Sequence, residues 1–482
     1  MPELTRRRRM LVLAICCSSL FIVSLDNTIV NLALPSIQRD LDASVSALQW
    51  TIDAYTLTIA CLLMLSGATA DRVGRRRVFQ IGLVLFGLGS LLCSVAPNVG
   101  SLIAFRALQA VGGSMLNPVA MSIITNTFTD RQERARAIGV WGGVIGVSMS
   151  LGPVLGGVLV DSVGWRSIFW VNVPVVVAAV VLTARFVPES RAPRARRLDP
   201  WGQGLVVLVL GGLTFGIIEG PVRGWGSPDI VTCFAVAAVA AALLVLVESR
   251  RRDPLIDPRF FRSLPFSGAT ITAVCAFAAM AGFLFLNALY LQDVRGYSPL
   301  HAGLLTLPMA VMTGLLPPLS GRLVGSRGSR IPLLVGGAGI TVAALILLVV
   351  LEANTPIGLI ILAYVVFGIG FGMINAPITN TAVSGMPITQ AGVAAAVAST
   401  SRQVGSALGV AVLGSLVTAR ITGPITTGFA DASRIGWGVM VGCGIVIIVL
   451  GVISTGARAR ATAARTAELL DPTPEPAVAG SR

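Results

Sequence analysis

Three ionisable residues stand where an apolar sequence should not have them. Asp26 falls within residues 10–34, a run that is almost wholly apolar; Asp53 follows in WTIDAY, and Arg106 opens RALQAVGG. A carboxylate at the centre of a bilayer costs about 2.5–3.5 kcal/mol, so such a group faces a bundle interior or an aqueous cavity and often marks a proton or ion route. An arginine cannot readily lose its charge and needs a carboxylate or carbonyl at the same depth. At roughly 1.5 Å per residue, Asp26 lies about 12 Å, Asp53 about 6 Å and Arg106 about 8 Å below the outer ends of their helices. Competition between the Arg106 guanidinium and a proton for Asp26 or Asp53 is then a workable coupling device. A static ion pair is the plainer alternative.

A second group, GATADRVGRRR, holds Gly67, Asp71, Arg72, Gly74, Arg75 and Arg76. Gly74 permits a sharp turn. Asp71 ends a helix whose dipole disfavours it, and it would gain from an arginine or a neighbouring helix N-terminus. That suggests a salt-bridged latch between helix ends, with a plain topogenic charge cluster as the bland alternative. The later loop GRLVGSRGSR aligns without gaps, Gly67 with Gly321, Gly74 with Gly328 and Arg76 with Arg330, but it sets Gly325 against Asp71. Any latch is therefore asymmetric. In SLGPVLGG, the residues Gly152, Pro153, Gly156 and Gly157 allow very close helix approach and a bend, hence a seam that can repack or a static one. Asn31, Tyr55, Asn117, Phe283, Asn287 and Asn375 are polar or aromatic on otherwise apolar helices. Each could line a midplane substrate path or simply pack. No Ser/His/Asp, Cys/His or metal-spaced cluster occurs, which argues against an enzyme.

The elements that must position these residues are membrane spans. The chain of 482 residues is 54% hydrophobic and 12% charged, with repeated apolar runs of about 20 residues, which no soluble core would need. Its net charge of +14 would suggest nucleic acid in a soluble domain. Here the basic residues, all arginine, cluster on alternate loops, the positive-inside pattern, and no nucleic-acid partner is expected. The basic N-terminal flank resembles a signal peptide, but the apolar run continues without a cleavage site and reads as a retained first helix. About fourteen spans follow. An even number places both termini on the basic, cytoplasmic side. The repeated loops are eight spans apart, where two six-helix halves would give six, so two helices have been inserted. The expected fold is an all-α integral membrane protein. Residues 1–187 form a six-helix bundle, 188–250 a basic, proline-rich linker with the two inserted helices, 251–457 a second six-helix bundle and 458–482 a disordered cytoplasmic tail. Arg402 interrupts the thirteenth span.

LDNTIVNLALP, WTIDAY, GATADRVGRRR, RALQAVGG, SLGPVLGG and GWRSIFWVNVP, in this order, resemble the 14-spanner drug:proton antiporters of the major facilitator superfamily, EmrB/QacA type. The resemblance covers essentially the whole chain. It implies a two-bundle, alternating-access exporter in the bacterial cytoplasmic membrane, driven by the proton gradient with no other cofactor and taking a small amphiphilic substrate. By that resemblance Asp26 and Arg106 match the acidic helix-one and helix-four arginine positions, and Asp71, Gly74 and Arg75 match the gating loop, with Thr69 in place of its usual leucine. Gly152, Pro153, Gly156 and Gly157 match the antiporter motif. Asp53 corresponds to an acid found in some multidrug members. The family's best-known cation exporters carry acids late in the chain, and residues 393–418 have none, which counts against polyvalent cations. A proton-coupled exporter of one metabolite, lipid or siderophore is the alternative.

Overall fold

The computed structural model describes residues 5–191, 199–251, 254 and 256–470. Among these the chain is helical throughout, with no strand, as expected where backbone hydrogen bonds must be satisfied without water. The first bundle comprises α1 (Arg6–Leu41), α2 (Val45–Val73), α3 (Arg75–Ser94), α4 (Val99–Thr127), α5 (Arg131–Ser162), the short α6 (Ser167–Trp170) and α7 (Asn172–Phe186). Next come α8 (Pro200–Arg223) and α9 (Pro228–Arg250). The second bundle holds α10 (Leu264–Leu289), α11 (Pro299–Leu315), α12 (Pro317–Arg327), α13 (Arg330–Val350), α14 (Ile357–Val383), α15 (Ile388–Thr418) and α16 (Ile425–Ile453), followed by α17 (Ala457–Leu470). Among the described residues, 12 helical segments are long and apolar enough to cross a membrane. Two more helices, α5 of 32 residues and α15 of 31, have spanning length, and each includes residues whose side chains are outside the description. This is a multi-pass membrane protein.

Local sequence sets the breaks. Ser44 caps α2, an Asn98/Ser101 capping box starts α4, and Asp130 caps α5 through the N–H groups of Gln132 and Glu133. Pro317 and Pro318 divide α11 from α12, because proline cannot supply the backbone donor that would continue the ladder. The last turn of α10 passes into a π-helical turn, Tyr290–Val294. Within the first bundle α4 packs on α2 and α3, and α1 on α5 and α7; within the second, α10 and α13 pack on α14 and α16. The bundles meet along α5 with α11, α2 with α15 and α1 with α10. Of the inserted pair, α8 lies against both α2 and α15, and α9 lies on α8.

One expectation needs correction. The tail expected to be disordered from residue 458 is helical to Leu470, and residues 471–482 lie outside the described part. The segment is alanine-rich and so a good helix former, and Ala459, Ala463 and Thr466 recur at helical spacing on a buried face. The count of apolar residues missed this, because alanine suffices for a shallow contact with α10. The start of the expected linker packs on the first bundle. Glu189 accepts hydrogen bonds from the Arg76 and Ser190 N–H groups, and the Arg75 N–H donates to the Ser190 carbonyl. Residues 192–198 of that linker are outside the described part.

Candidate functional site

The buried polar centre of the first bundle is built around Asp26. Its carboxylate is fully buried, and Arg106, 1% exposed, donates from Nη1 to Oδ2 at 2.5 Å. Gln109 Nε2 and Asn172 Nδ2 donate to Oδ1 at 2.9 and 3.3 Å. Gln109 closes the circuit by accepting from Arg106 Nη1 at 2.8 Å, while Arg106 Nε donates to the Thr51 carbonyl at 3.2 Å. The amides of Gln109 and Asn172 also reach Ser90 Oγ, at 3.3 and 3.0 Å. The Tyr55 ring lies 4.1 Å from the guanidinium carbon and that of Phe169 lies 5.8 Å away, so aromatic faces cover the cation. Asp26, Arg106, Gln109, Ser90 and Asn172 thus join α1, α4, α3 and α7 in one network.

The structure decides between the two acids. Asp53 is as buried as Asp26, but its only hydrogen bond among the described residues comes from Thr56 Oγ1, at 3.2 Å, and its Oδ2 has no partner. Gln109, Asn172 and Ser90 were not singled out in the sequence. Gln109 is three residues after Arg106 on the same helical face, and Asn172 stands in GWRSIFWVNVP, so both were legible as polar residues at matching depth.

Asp71 finds the arginine it needed: Arg75 donates to Oδ1 from Nη2 at 2.8 Å and from Nε at 3.2 Å, joining the end of α2 to the start of α3. Gly74, at φ 125°, makes the turn, and that conformation demands glycine; a Cβ there would lie 2.6 Å from Glu189 Oε1, the movable end of its side chain. Gly67 faces Pro118 of α4, Arg72 is exposed, and Arg76 Nη2 donates to the Ala184 carbonyl at 2.8 Å.

Of the α5 residues, Gly152 and Gly156 serve packing within the first bundle, and Pro153 and Gly157 the seam between bundles. Gly152 and Gly156 lie against Thr28 and Ile29 of α1; a Cβ on Gly157 would come within 2.6 Å of Leu300 Cα, and Gly303 of α11 abuts the Pro153 carbonyl. On the same end of the molecule, Gln292 of the π turn donates to the Leu32 carbonyl at 2.7 Å, and Gln49 of α2 donates to the Val410 and Ala411 carbonyls of α15 at 3.0 and 3.1 Å. The end away from the arginine-rich loops is therefore sealed. Towards the basic end the seam is looser. Among the described residues, Gly139 and Gly143 of α5 have open space around them, and α4 and α14 make no extensive contact.

The proposed lining residues divide. Phe283 stacks on Phe367 with ring centroids 4.1 Å apart, and Asn287 is satisfied by Tyr364 Oη at 2.5 Å and the Phe283 carbonyl at 2.7 Å, so both are engaged within the second bundle. Tyr55 serves the Arg106 site. Asn31 is buried with an unpartnered Oδ1; Asn117, partly exposed, also keeps an unpartnered Oδ1; Asn375 is partly exposed on α14.

Two helical bundles, a sealed end and an ion pair buried at mid-depth define a transporter of the alternating-access kind. The Major Facilitator Superfamily model matches residues 16–410, and the chain belongs to that superfamily. It is 38% identical over 413 residues to the multidrug resistance protein Stp of Mycobacterium tuberculosis, covering 86% of this chain and 76% of Stp. It is 36% identical to a methylenomycin A resistance protein of Streptomyces coelicolor, covering 81% and 82%, and 33% identical to the multidrug efflux pump LfrA of Mycolicibacterium smegmatis, covering 87% and 83%. Among solved structures, a bacterial homologue of the human lysosomal transporter Spinster, inward-facing and occupied, matches with a TM-score of 0.67 at 16% identity over 96% of this chain and 98% of the other. That likeness shows the fold.

Proposed function

We propose that the protein is a proton-driven exporter of amphiphilic drugs or antibiotics in a bacterial cytoplasmic membrane. In this reading it has fourteen spans, with α5 and α15 completing the set, and both termini on the cytoplasmic side. The domains are residues 1–187 and 251–457, with 188–250 as the inserted unit. Relatives named for drug resistance support the substrate class.

The observation that carries the mechanism is that α1 serves both machineries. Asp26 on one face holds Arg106; the Leu32 carbonyl, within two turns, receives Gln292 of the second bundle, and Thr28 and Ile29 between them pack on Gly152 and Gly156 of α5, the helix whose Pro153 and Gly157 abut α11. A carboxylate that is charged and unpaired cannot change sides cheaply. With Asp26 ionised and gripping Arg106, the bundles are closed at the outer end and loosened at the basic end, the arrangement that follows proton release to the cytoplasm. Substrate enters from the basic side and is carried across as the seam re-forms there. A proton arriving from outside neutralises Asp26 and frees Arg106 to rest on Gln109, the Thr51 carbonyl and the Tyr55 ring. The neutral carrier then returns. Asp71–Arg75 and Glu189 hold the inner ends of α2 and α3 as one body during the swing. Asn31, Asn117 and Asn375 are the remaining candidates to meet substrate, and Asp53 is a second acid for which no cation has been provided.

The test is Asp26→Asn in inverted vesicles. The variant inserts normally but shows no dye efflux under a pH gradient; transport at the wild-type rate would refute the reading.

A further inference from the structure

Arg402 stands at the middle of α15, about 21 Å along a helix about 46 Å long. Such a cation needs a carboxylate, a carbonyl or an aqueous cavity at its own depth. Arg106 has Asp26, yet none of the ion pairs among the described residues includes Arg402. Its Nη2 donates to Thr379 Oγ1 of α14, and its Nε is buried without a partner. Nor does its own bundle hold an acid at that depth. Between α10 and α16 the acids are Asp293, Glu352 and Asp431, and all three lie at the opposite, sealed end. Arg402, Thr379 and Asn375 are each partly exposed, on the packed pair α14 and α15.

We propose that Arg402 is the recognition group for a carboxylate carried by the transported amphiphile. Its guanidinium presents a planar fork that matches a carboxylate in two parallel hydrogen bonds, and Thr379 fixes the plane of that fork. The inference rests on the export reading and narrows it to organic acids among amphiphiles. A transported anion would supply at mid-depth the charge that the chain omits, and would be drawn in from the side carrying the arginine-rich loops.

The experiment uses the full-length protein in lipid nanodiscs and one fluorescent probe in two forms, 11-(dansylamino)undecanoic acid and its methyl ester. The acid binds the wild type roughly tenfold or more tightly than the ester, as expected for a charge-assisted hydrogen-bonded pair. Arg402→Gln removes that preference by weakening the acid alone, and Arg402→Lys, which keeps charge but loses the fork, retains part of it. Equal binding of acid and ester to the wild type, no binding of either, or a preference that survives Arg402→Gln overturns the inference. Equal weakening of both probes by Arg402→Gln and Asp53→Asn would assign the guanidinium to Asp53 and overturn it too. Dye efflux by the same preparations in proteoliposomes separates the two claims. A wild type that shows no acid preference yet still exports dye sinks only the role of Arg402, whereas no gradient-driven efflux of any dye sinks the export reading.

Discussion

Arg106 takes its hydrogen-bonding partners from three helices: Asp26 of α1, the Thr51 carbonyl of α2 and Gln109 of its own α4. Removing one member of a buried pair leaves the other uncompensated, at a cost of about 3–5 kcal/mol, whereas replacing both can be nearly neutral. Arg106→Leu is therefore expected to lower the thermal unfolding midpoint in detergent, and Asp26→Asn combined with Arg106→Leu to recover much of the loss. A double variant no more stable than the single one would show that the cost lies in packing against Tyr55 and Phe169. The pairing was legible in part: two charge types at matched depth are visible in sequence. The choice of Asp26 over Asp53 was not. It depends on how α2 is rotated about its axis, and tertiary packing sets that rotation.

At the scale of helices, length and apolar content gave nearly everything, because in a bilayer every backbone donor must be satisfied within its own segment. What escaped were contacts made by short, unremarkable stretches: Glu189 at the head of a basic linker, and the alanine face of α17. The seam residues on α5 were readable as small, but their partners were not. Gly156 faces α1 while Gly157, one residue on, faces α11. Gly157→Leu is expected to force α5 from α11. Overpacking of about 1–3 kcal/mol shifts the sealed form against the open one by roughly tenfold or more. Faster labelling of a Leu32→Cys variant, whose side chain lies against Gly303 of α11, by an impermeant maleimide added from the sealed side would register the shift. An unchanged rate would mean that the helices absorb the side chain elsewhere. A parallel expectation concerns the inner turn. Asp71→Asn should slow the exchange between states while leaving equilibrium dye binding near wild type, and a defect confined to binding would count against a gate there.

For the molecule as a whole, the sealed end is held by Gln49 across to α15 and Gln292 across to α1. Gln49 Nε2 also reaches Ser415 Oγ, at 3.3 Å, so cysteines at these two positions stand on facing helices. A short bismaleimide bridging Gln49→Cys to Ser415→Cys is expected to abolish dye efflux, and a cleavable linker of equal span to restore it on cleavage. Full transport by the bridged protein would show that this end never opens. The repeated glycine-arginine loops suggested two halves and their spacing an inserted pair, but where α8 and α9 lodge was not written in any periodicity.

That lodging place matters for a greasy molecule already dissolved in the lipid. Because α8 is docked on α2 by Glu219, which accepts from Trp50 and Ser46, and lies along α15 as well, one flank of the cleft carries a shutter. Among the described residues α8 and α9 make no comparable contact with the opposite flank, where α5 meets α11, so the two flanks present different faces to the lipid.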